Sequence, residues 1–285
     1  MNIAHRGGAQ LMPENTLAAF ADACARGCDG VELDVQLSRD GVVVVHHDFR
    51  LMKDVARKDD VWLAEPGPRI KDLSLAALRQ FDVGGPRPGS DYALGRPLLK
   101  PTNSPVPTLE EVVALAAQAG RRFLLFVELK CDTSDDSADP QALADAALDV
   151  IRQADFLESA IFVGFDWRAL LRIRAREPSA VCWFTTDKLS GDARPVIDLV
   201  AGAGAQGWFP NFPDATPENV AYARERGLKV GAWTINRRDD MQRLMDLDAL
   251  CTDRPDVLST LHEGEPHAQA VGLPLAQARG VIRSK

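Results

Sequence analysis

Several features are missing from this 285-residue sequence, and each absence excludes a class of protein. Positive charge is not in surplus: 33 Lys and Arg stand against 41 Asp and Glu, a formal net charge of −8. Counterion release drives binding to nucleic acid and needs clustered cations, so nucleic acid is excluded as the main partner. A small anionic ligand needs only local positive charge and stays open. No run approaches the roughly 20 apolar residues that span a bilayer, and no basic segment followed by an apolar one marks a leader. The expectation is a soluble, cytoplasmic protein without a transmembrane segment. The five cysteines, Cys24, Cys28, Cys131, Cys182 and Cys251, form neither a Cys-x-x-Cys pair nor an even framework, which predicts reduced, mostly buried thiols. No Gly-x-Gly-x-x-Gly follows a strand, so the fingerprint of a doubly wound dinucleotide-binding sheet is missing. The acidic run from 132 to 139 lacks the glycine and terminal glutamate of an EF-hand loop at their fixed offsets and reads as a solvated loop.

What is present centres on Gly30 to Asp48, GVELDVQLSRDGVVVVHHD. Side chains alternate along a strand, so Glu32 and Asp34 share one face while Val31, Leu33 and Val35 take the other. Two neighbouring carboxylates repel, and burying them costs several kcal/mol unless protons or a cation neutralise them. A hard divalent cation is the economical partner. With Asp40-Gly41 as a two-residue hairpin turn, Arg39 faces Val42 and Asp34 faces His47. His46 then pairs with Val35 and points away, a choice that a one-residue slip would reverse.

The rest of the chain supplies a scaffold for this hairpin. Asn2 to Ala4 reads as a short strand whose end delivers His5-Arg6-Gly7-Gly8, where the glycines let backbone turn close to a ligand. Asn15 is expected to cap a helix carrying Leu17, Phe20, Ala21 and Cys24 until Gly27 stops it. Residues 49–107 are rich in Pro, Gly and charge, with only Leu73 to Phe81 reading as a helix, and are expected to form a lid or small subdomain. Thr108 caps an amphipathic helix ending at Gly120, and FLLFVELK reads as a buried parallel strand with Glu128 and Lys130 on one face. From Pro140 strands and helices alternate to Thr252. Leaving out the return strand of the hairpin, eight parallel strands are expected, which points to a single α/β domain over 1–285, a TIM (β/α)8 barrel with an insertion after the second strand. Residues 264–285 read as a loose tail. His5, Arg6, Glu32, Asp34, Glu128, Lys130, Trp233 and Asp253 all fall at or just beyond C-terminal strand ends, where such barrels keep their chemistry. Trp233, Trp208, Phe209 and Phe212 are candidates to line the mouth, with barrel packing as the competing role.

Six matching pieces make the chain resemble the glycerophosphodiester phosphodiesterases: AHRGG at 4–8, PENTLAAF at 13–20, the hairpin at 30–48, VELK at 127–130, AWTIN at 232–236 and TDRPD at 252–256. The resemblance implies a TIM barrel that hydrolyses glycerophosphodiesters to glycerol 3-phosphate and an alcohol. It implies one divalent cation, Mg²⁺ or Ca²⁺, on Glu32, Asp34 and Glu128, acid-base histidines at His5 and His47, and phosphate-facing cations at Arg6 and Lys130. Lys53 stands where an arginine is frequent, and Gly164-Phe165-Asp166-Trp167 replaces a serine-phenylalanine start, which leaves substrate choice open. A lysophospholipase D-like enzyme for longer lipids and a non-catalytic barrel that binds phosphodiesters or a partner are the alternatives.

Overall fold

The computed structural model describes residues 1–64, 67–135 and 139–262; the tail expected over 264–285 lies outside the described residues. Eleven strands occur among them: β1 (Asn2–Ala4), β2 (Gly30–Leu37), β3 (Val43–Val45), β4 (Arg57–Lys58), β5 (Val61–Trp62), β6 (Leu124–Leu129), β7 (Ala160–Gly164), β8 (Val181–Thr186), β9 (Gly207–Pro210), β10 (Lys229–Ala232) and β11 (Ala249–Thr252). Eight of them run parallel in the order β1-β11-β10-β9-β8-β7-β6-β2, and the β1–β2 pairing closes the ring. This is the expected (β/α)8 barrel. β3 is an antiparallel addition to β2, and β4 and β5 form a separate hairpin inside residues 49–107.

Strand alternation separates the barrel into two apolar layers. Leu125, Val127 and Leu129 of β6 face outward into the main core beneath the helices, with Val31, Leu33 and Val35 of the neighbouring β2. Leu124 and Phe126 face inward and meet Ile3, Ile161, Trp183, Phe209 and Cys251. Gly30 enters β2 where an added Cβ would lie 2.3 Å from the Leu124 carbonyl oxygen, so only glycine fits against that neighbour. The helices cover the ring with their apolar stripes. In Leu109–Ala117, Leu109, Val112, Val113 and Ala116 are buried, and Thr108 and Glu111 close a reciprocal capping box at its start. A Gly202-x-Gly204-x-x-Gly207 spacing joins the helix Arg194–Gly202 to β9, the reverse of the strand-to-helix order that a dinucleotide turn needs.

Three expectations need correction, and one helix is an addition. The hairpin turn is not the two-residue Asp40-Gly41 loop: Ser38 N donates to Val42 O at 2.9 Å and Gly41 N to Ser38 O at 3.0 Å, with Gly41 at φ +77°. This three-residue loop with glycine in the left-handed region shifts the register by one, so Val35 pairs with Val45 and Gln36 with Val44. The cap of the first helix, Leu17–Ala25, is Thr16 and not Asn15, because the Thr16 hydroxyl accepts from Ala19 N at 3.1 Å. The helix expected at Leu73 to Phe81 narrows to Leu75–Leu78, capped by Ser74. Finally, a helix at Pro255–His262 was not foreseen; Pro255 begins it.

Residues 49–107 gather a small core of their own from Leu51, Val55, Ala56, Ile70, Leu78, Val83 and Val106, packed on Val44. Val43 and Val45 belong to the main core, so β3 is the seam between the insertion and the barrel.

Candidate active site

β1 ends at Ala4, and the chain then turns sharply. Arg6 lies at φ +50°, followed by Gly7 at +86° and Gly8 at +94°. A non-glycine residue in the left-handed region is costly, and such residues cluster where the surroundings hold them for a purpose. Here the turn aims Arg6 N at Glu32 Oε2, 3.1 Å away. The Arg6 guanidinium is fixed on two sides: Nη1 donates to Glu14 Oε1 at 2.9 Å, and Nε lies 3.2 Å from Asp34 Oδ2. Burial opposes its charge, but Asp34, Glu14, Glu32 and Glu128 together push its pKa further up.

The parallel register of β2 and β6 sets Asp34 beside Glu128. Glu32, Asp34 and Glu128 each bring a carboxylate oxygen to one point, all within 4.8 Å of one another. Burial, with Asp34 and Glu128 nearby, pushes Glu32 well above the usual carboxylate range. For Asp34 burial acts in the same sense, but Arg6, His47 and Lys130 and the Asn15 hydrogen bond outweigh it and hold Asp34 low. Lys130 Nζ sits 3.0 Å from Glu128 Oε1 and 3.9 Å from Asp34 Oδ1, and burial is again outweighed, so its pKa is raised. Glu32 Oε1 is buried without a hydrogen-bond partner among the described residues. An orphaned carboxylate oxygen in an all-oxygen cluster fits a hard divalent cation, because such ions take carboxylate ligands at about 2.0–2.6 Å and supply the missing counter-charge.

His5 Nδ1 lies 2.6 Å from Asp253 Oδ1, and its Nε2 is 3.8 Å from Glu32 Oε2. Asp253 is itself held by Asn236, whose Nδ2 donates to Oδ2 at 2.7 Å. His47 repeats the pattern on a smaller scale, with Nδ1 3.3 Å from Asp48 Oδ1. In both cases a carboxylate beside Nδ1 orients the ring. The corrected register sets His46 N against Asp34 O at 2.9 Å, yet β3 has already ended at Val45. The chain therefore leaves the ladder: His46 is buried, and His47 lines the cavity. The hairpin parity thus arrived at the histidine that lines the cavity from a register that the structure does not have.

His5, Arg6, Glu32, His47, Glu128, Lys130, Phe165, Phe209 and Trp233 all line one cavity of about 270 Å³ at the C-terminal end of the barrel. Asp34 lies just behind it. Of the aromatic candidates, Trp233 is at the wall, its Nε1 donating to Phe209 O at 3.1 Å and its ring meeting Phe165 edge-on at 5.4 Å. Trp208 is not: it is fully buried in the outer core with Nε1 on Thr186 Oγ1, and Phe212 packs against the same core. Cys131 is pushed up to about 12 by burial, which makes it a neutral thiol and a poor nucleophile.

Three site residues were missed in the sequence. Asn15, read there as a cap, lies at φ +57° and turns its amide onto Asp34, donating from Nδ2 to Oδ2 at 2.8 Å and accepting from Asp34 N at 3.2 Å. Glu14 stands at a helix start, where carboxylates are ordinary. Phe165 is 43% exposed, and Lys130 Nζ lies 5.9 Å from its ring centre. No local signal separates Glu14 and Asn15 from residues that merely begin a helix.

A parallel barrel that gathers carboxylates, carboxylate-held histidines and two partly buried cations at its C-terminal strand ends has the layout of a barrel enzyme's active site. The model of the Glycerophosphoryl diester phosphodiesterase family matches residues 5–257, and the chain belongs to that family. A glycerophosphodiester phosphodiesterase of Caldanaerobacter subterraneus subsp. tengcongensis is 30% identical over 91% of this chain and 96% of that protein. A solved structure from Silicibacter pomeroyi superposes with a TM-score of 0.84 at 31% identity, covering 91% of this chain and 93% of that one. An Oleispira antarctica phosphodiesterase, solved in complex with the product sn-glycerol-3-phosphate, gives 0.73 at 25% identity, covering 92% and 96%. Among the described residues no helix is long and apolar enough to cross a membrane.

Proposed function

We propose that this chain hydrolyses glycerophosphodiesters to glycerol 3-phosphate and an alcohol through a cyclic phosphate, using one divalent cation, Mg²⁺ or Ca²⁺. The observation that carries the reading is the convergence of two histidines, two cations and the carboxylates Glu32 and Glu128 on one cavity, with Asp34 completing the three-carboxylate cluster behind it. The product held by the Oleispira antarctica relative supports the substrate class.

Glu32, Asp34 and Glu128 would hold the cation, which when bound lowers the pKa of a hydroxyl beside the phosphate and offsets charge on its oxygens. Arg6 and Lys130 hold the phosphate between them, Arg6 as a planar fork and Lys130 as a point charge. One histidine takes the proton of the neighbouring glycerol hydroxyl as that oxygen bonds to phosphorus. The other gives a proton to the departing alcohol oxygen as its bond to phosphorus breaks. Water then opens the cyclic ester with the two roles exchanged. Asp253 and Asp48 keep His5 and His47 in the tautomer that this exchange needs. Trp233 forms the apolar wall for the glycerol carbons.

The test is release of glycerol 3-phosphate from glycerophosphocholine with added Mg²⁺ or Ca²⁺. Chelation should abolish turnover and readdition restore it. Full turnover in excess chelator, with no metal found by elemental analysis, overturns the metal assignment. A second reading has its own observation: the exposed Phe165 beside Trp233 would suit an acyl chain. Lysolipid assayed in parallel decides it, since a higher kcat/KM for lysolipid makes the chain a lysophospholipase D-like enzyme.

A further inference from the structure

The insertion reaches the cavity through Glu14, which it holds on one side while Arg6 holds it on the other. Ser90 caps the short helix Asp91–Leu94 by accepting from Ala93 N at 3.2 Å, and this turn directs Leu94 outward, 71% exposed, and Tyr92 inward. The Tyr92 hydroxyl donates to Glu14 Oε2 at 2.6 Å. Arg96 stacks on the Tyr92 ring, 3.7 Å from its centre, and brings Nη2 to 3.6 Å from the same Glu14 oxygen. The segment is anchored beyond these two residues by Lys100 N, which donates to Leu11 O at 2.9 Å. The other Glu14 oxygen receives Arg6 Nη1. A continuous chain of contacts therefore runs from the insertion through one buried carboxylate to the guanidinium in the cavity.

Glu14 is buried, and Arg6, the Tyr92 hydrogen bond and Arg96 outweigh that burial and hold its carboxyl below the usual range, so its position depends on these partners. Tyr92 and Arg96 claim Oε2 and so leave Oε1 for Arg6. Arg6 has a competing partner in Asp34, whose Oδ2 is 3.2 Å from Nε. If Oε2 loses its donors, the Glu14 carboxylate is free to rotate, and the guanidinium can swing toward Asp34. We propose that Tyr92 and Arg96 are positioning residues for the reaction, holding Arg6 in its phosphate-facing orientation through Glu14. This rests on the reading of Arg6 as a phosphate ligand.

The test is a double-mutant cycle read by turnover and by calorimetric binding of glycerol 3-phosphate. Tyr92→Phe keeps the ring under Arg96 and removes only the hydroxyl. It should lower kcat/KM on glycerophosphocholine and glycerol 3-phosphate affinity each by about 10-fold or more, the scale of a hydrogen bond to a charged group. Its melting temperature should stay within about 3 °C of wild type. In an Arg6→Ala background the same change should cost less than about 2-fold, because the residue through which it acts is gone. Arg96→Met, which keeps the packing and removes the charge, should give the same pattern and stands in if Tyr92→Phe does not fold. Unchanged binding and turnover in the folded single variants, or equal losses in both backgrounds, overturn the proposal. If wild type binds glycerol 3-phosphate but releases none from its diesters, the hydrolytic reading fails alone, and the binding cycle still decides the relay. If wild type does not bind it, Arg6 is no phosphate ligand and the relay falls.

Discussion

Phe126 and Glu128 stand two residues apart on β6 and both point into the barrel, one into a dry floor and the other into a charged ceiling. Below, Phe126 meets Trp183 edge-on at 5.3 Å and Phe209 at 5.8 Å, among buried neighbours. Above, Glu128 meets Lys130 at 3.0 Å, with Asp34 opposite on β2. The same pleat governs both ends. Alternation decides whether a side chain enters the barrel, and distance along the strand decides which chemistry it joins. The apolar floor closes one end of the cavity to water, which strengthens every charge interaction above it. The floor should therefore govern stability and the ceiling activity, and each prediction below can break that division or sharpen it.

The largest effect is expected from Glu32→Gln. Losing one anionic ligand and the charge that faces Arg6 N should cut kcat/KM by about 10³-fold or more and abolish tight divalent binding, checked by kinetics and calorimetry. Stability in chelator should hold or rise, because a carboxylate pushed well above its usual range by burial is replaced by a neutral isostere. A marked loss of stability would show that the ceiling also holds the fold together.

Next comes Phe126→Ala, which opens a void in the floor and should cost about 3–5 kcal/mol by denaturant unfolding. Activity per folded molecule should change little. A loss of kcat with the metal site intact would show that floor and ceiling are not separable.

The histidine pair sharpens the comparison within one dipeptide. His47→Ala should lower kcat by roughly 10² or more, whereas His46→Ala, at a buried position, should cost about 1–3 kcal/mol of stability and little kcat. Equal kinetic losses in two folded variants would contradict the placement of His47 alone at the cavity.

The smallest effect belongs to the insertion. Asp82 accepts from Ser104 N at 2.9 Å, Gly84 N at 2.8 Å and Arg57 Nε at 2.8 Å. Burial opposes its ionisation, but these donors prevail and lower its pKa. A depressed carboxyl contributes stability that is present above its unfolded pKa and is lost as pH falls through the lower folded value. Asp82→Asn should cost about 1 kcal/mol at neutral pH and flatten that acid-side decline, measured by thermal melts across pH 2–6. An identical pH profile in the variant would place the acid sensitivity elsewhere.

Much of the frame was legible because it depends on periodicity. Leu124 to Leu129 is a short apolar run of strand length, and eight strand segments separated by helical patterns leave few closed solutions. The shared face of Glu32 and Asp34 follows from the pleat alone. The turn was not legible, since Ser38-Arg39-Asp40-Gly41 accommodates either loop length, and the longer one is held by Ser38 Oγ, which donates to Asp40 Oδ1 and accepts from Val42 N.

What the sequence determined by itself is whatever acts over a few residues: strand and helix periods, the two-residue spacing of Glu32 and Asp34, and the glycines that turn the chain after His5. Tertiary structure alone decided which distant groups meet. Asn15 left its expected capping role because Asp34, nineteen residues on, offers it both a donor and an acceptor. Glu14 and Tyr92 are 78 residues apart, and His5 and Asp253 are 248 apart. No local pattern encodes such pairs. A carboxylate shows no preference between water and a buried donor until the closed barrel removes the water, and only then does the partner that remains fix its role.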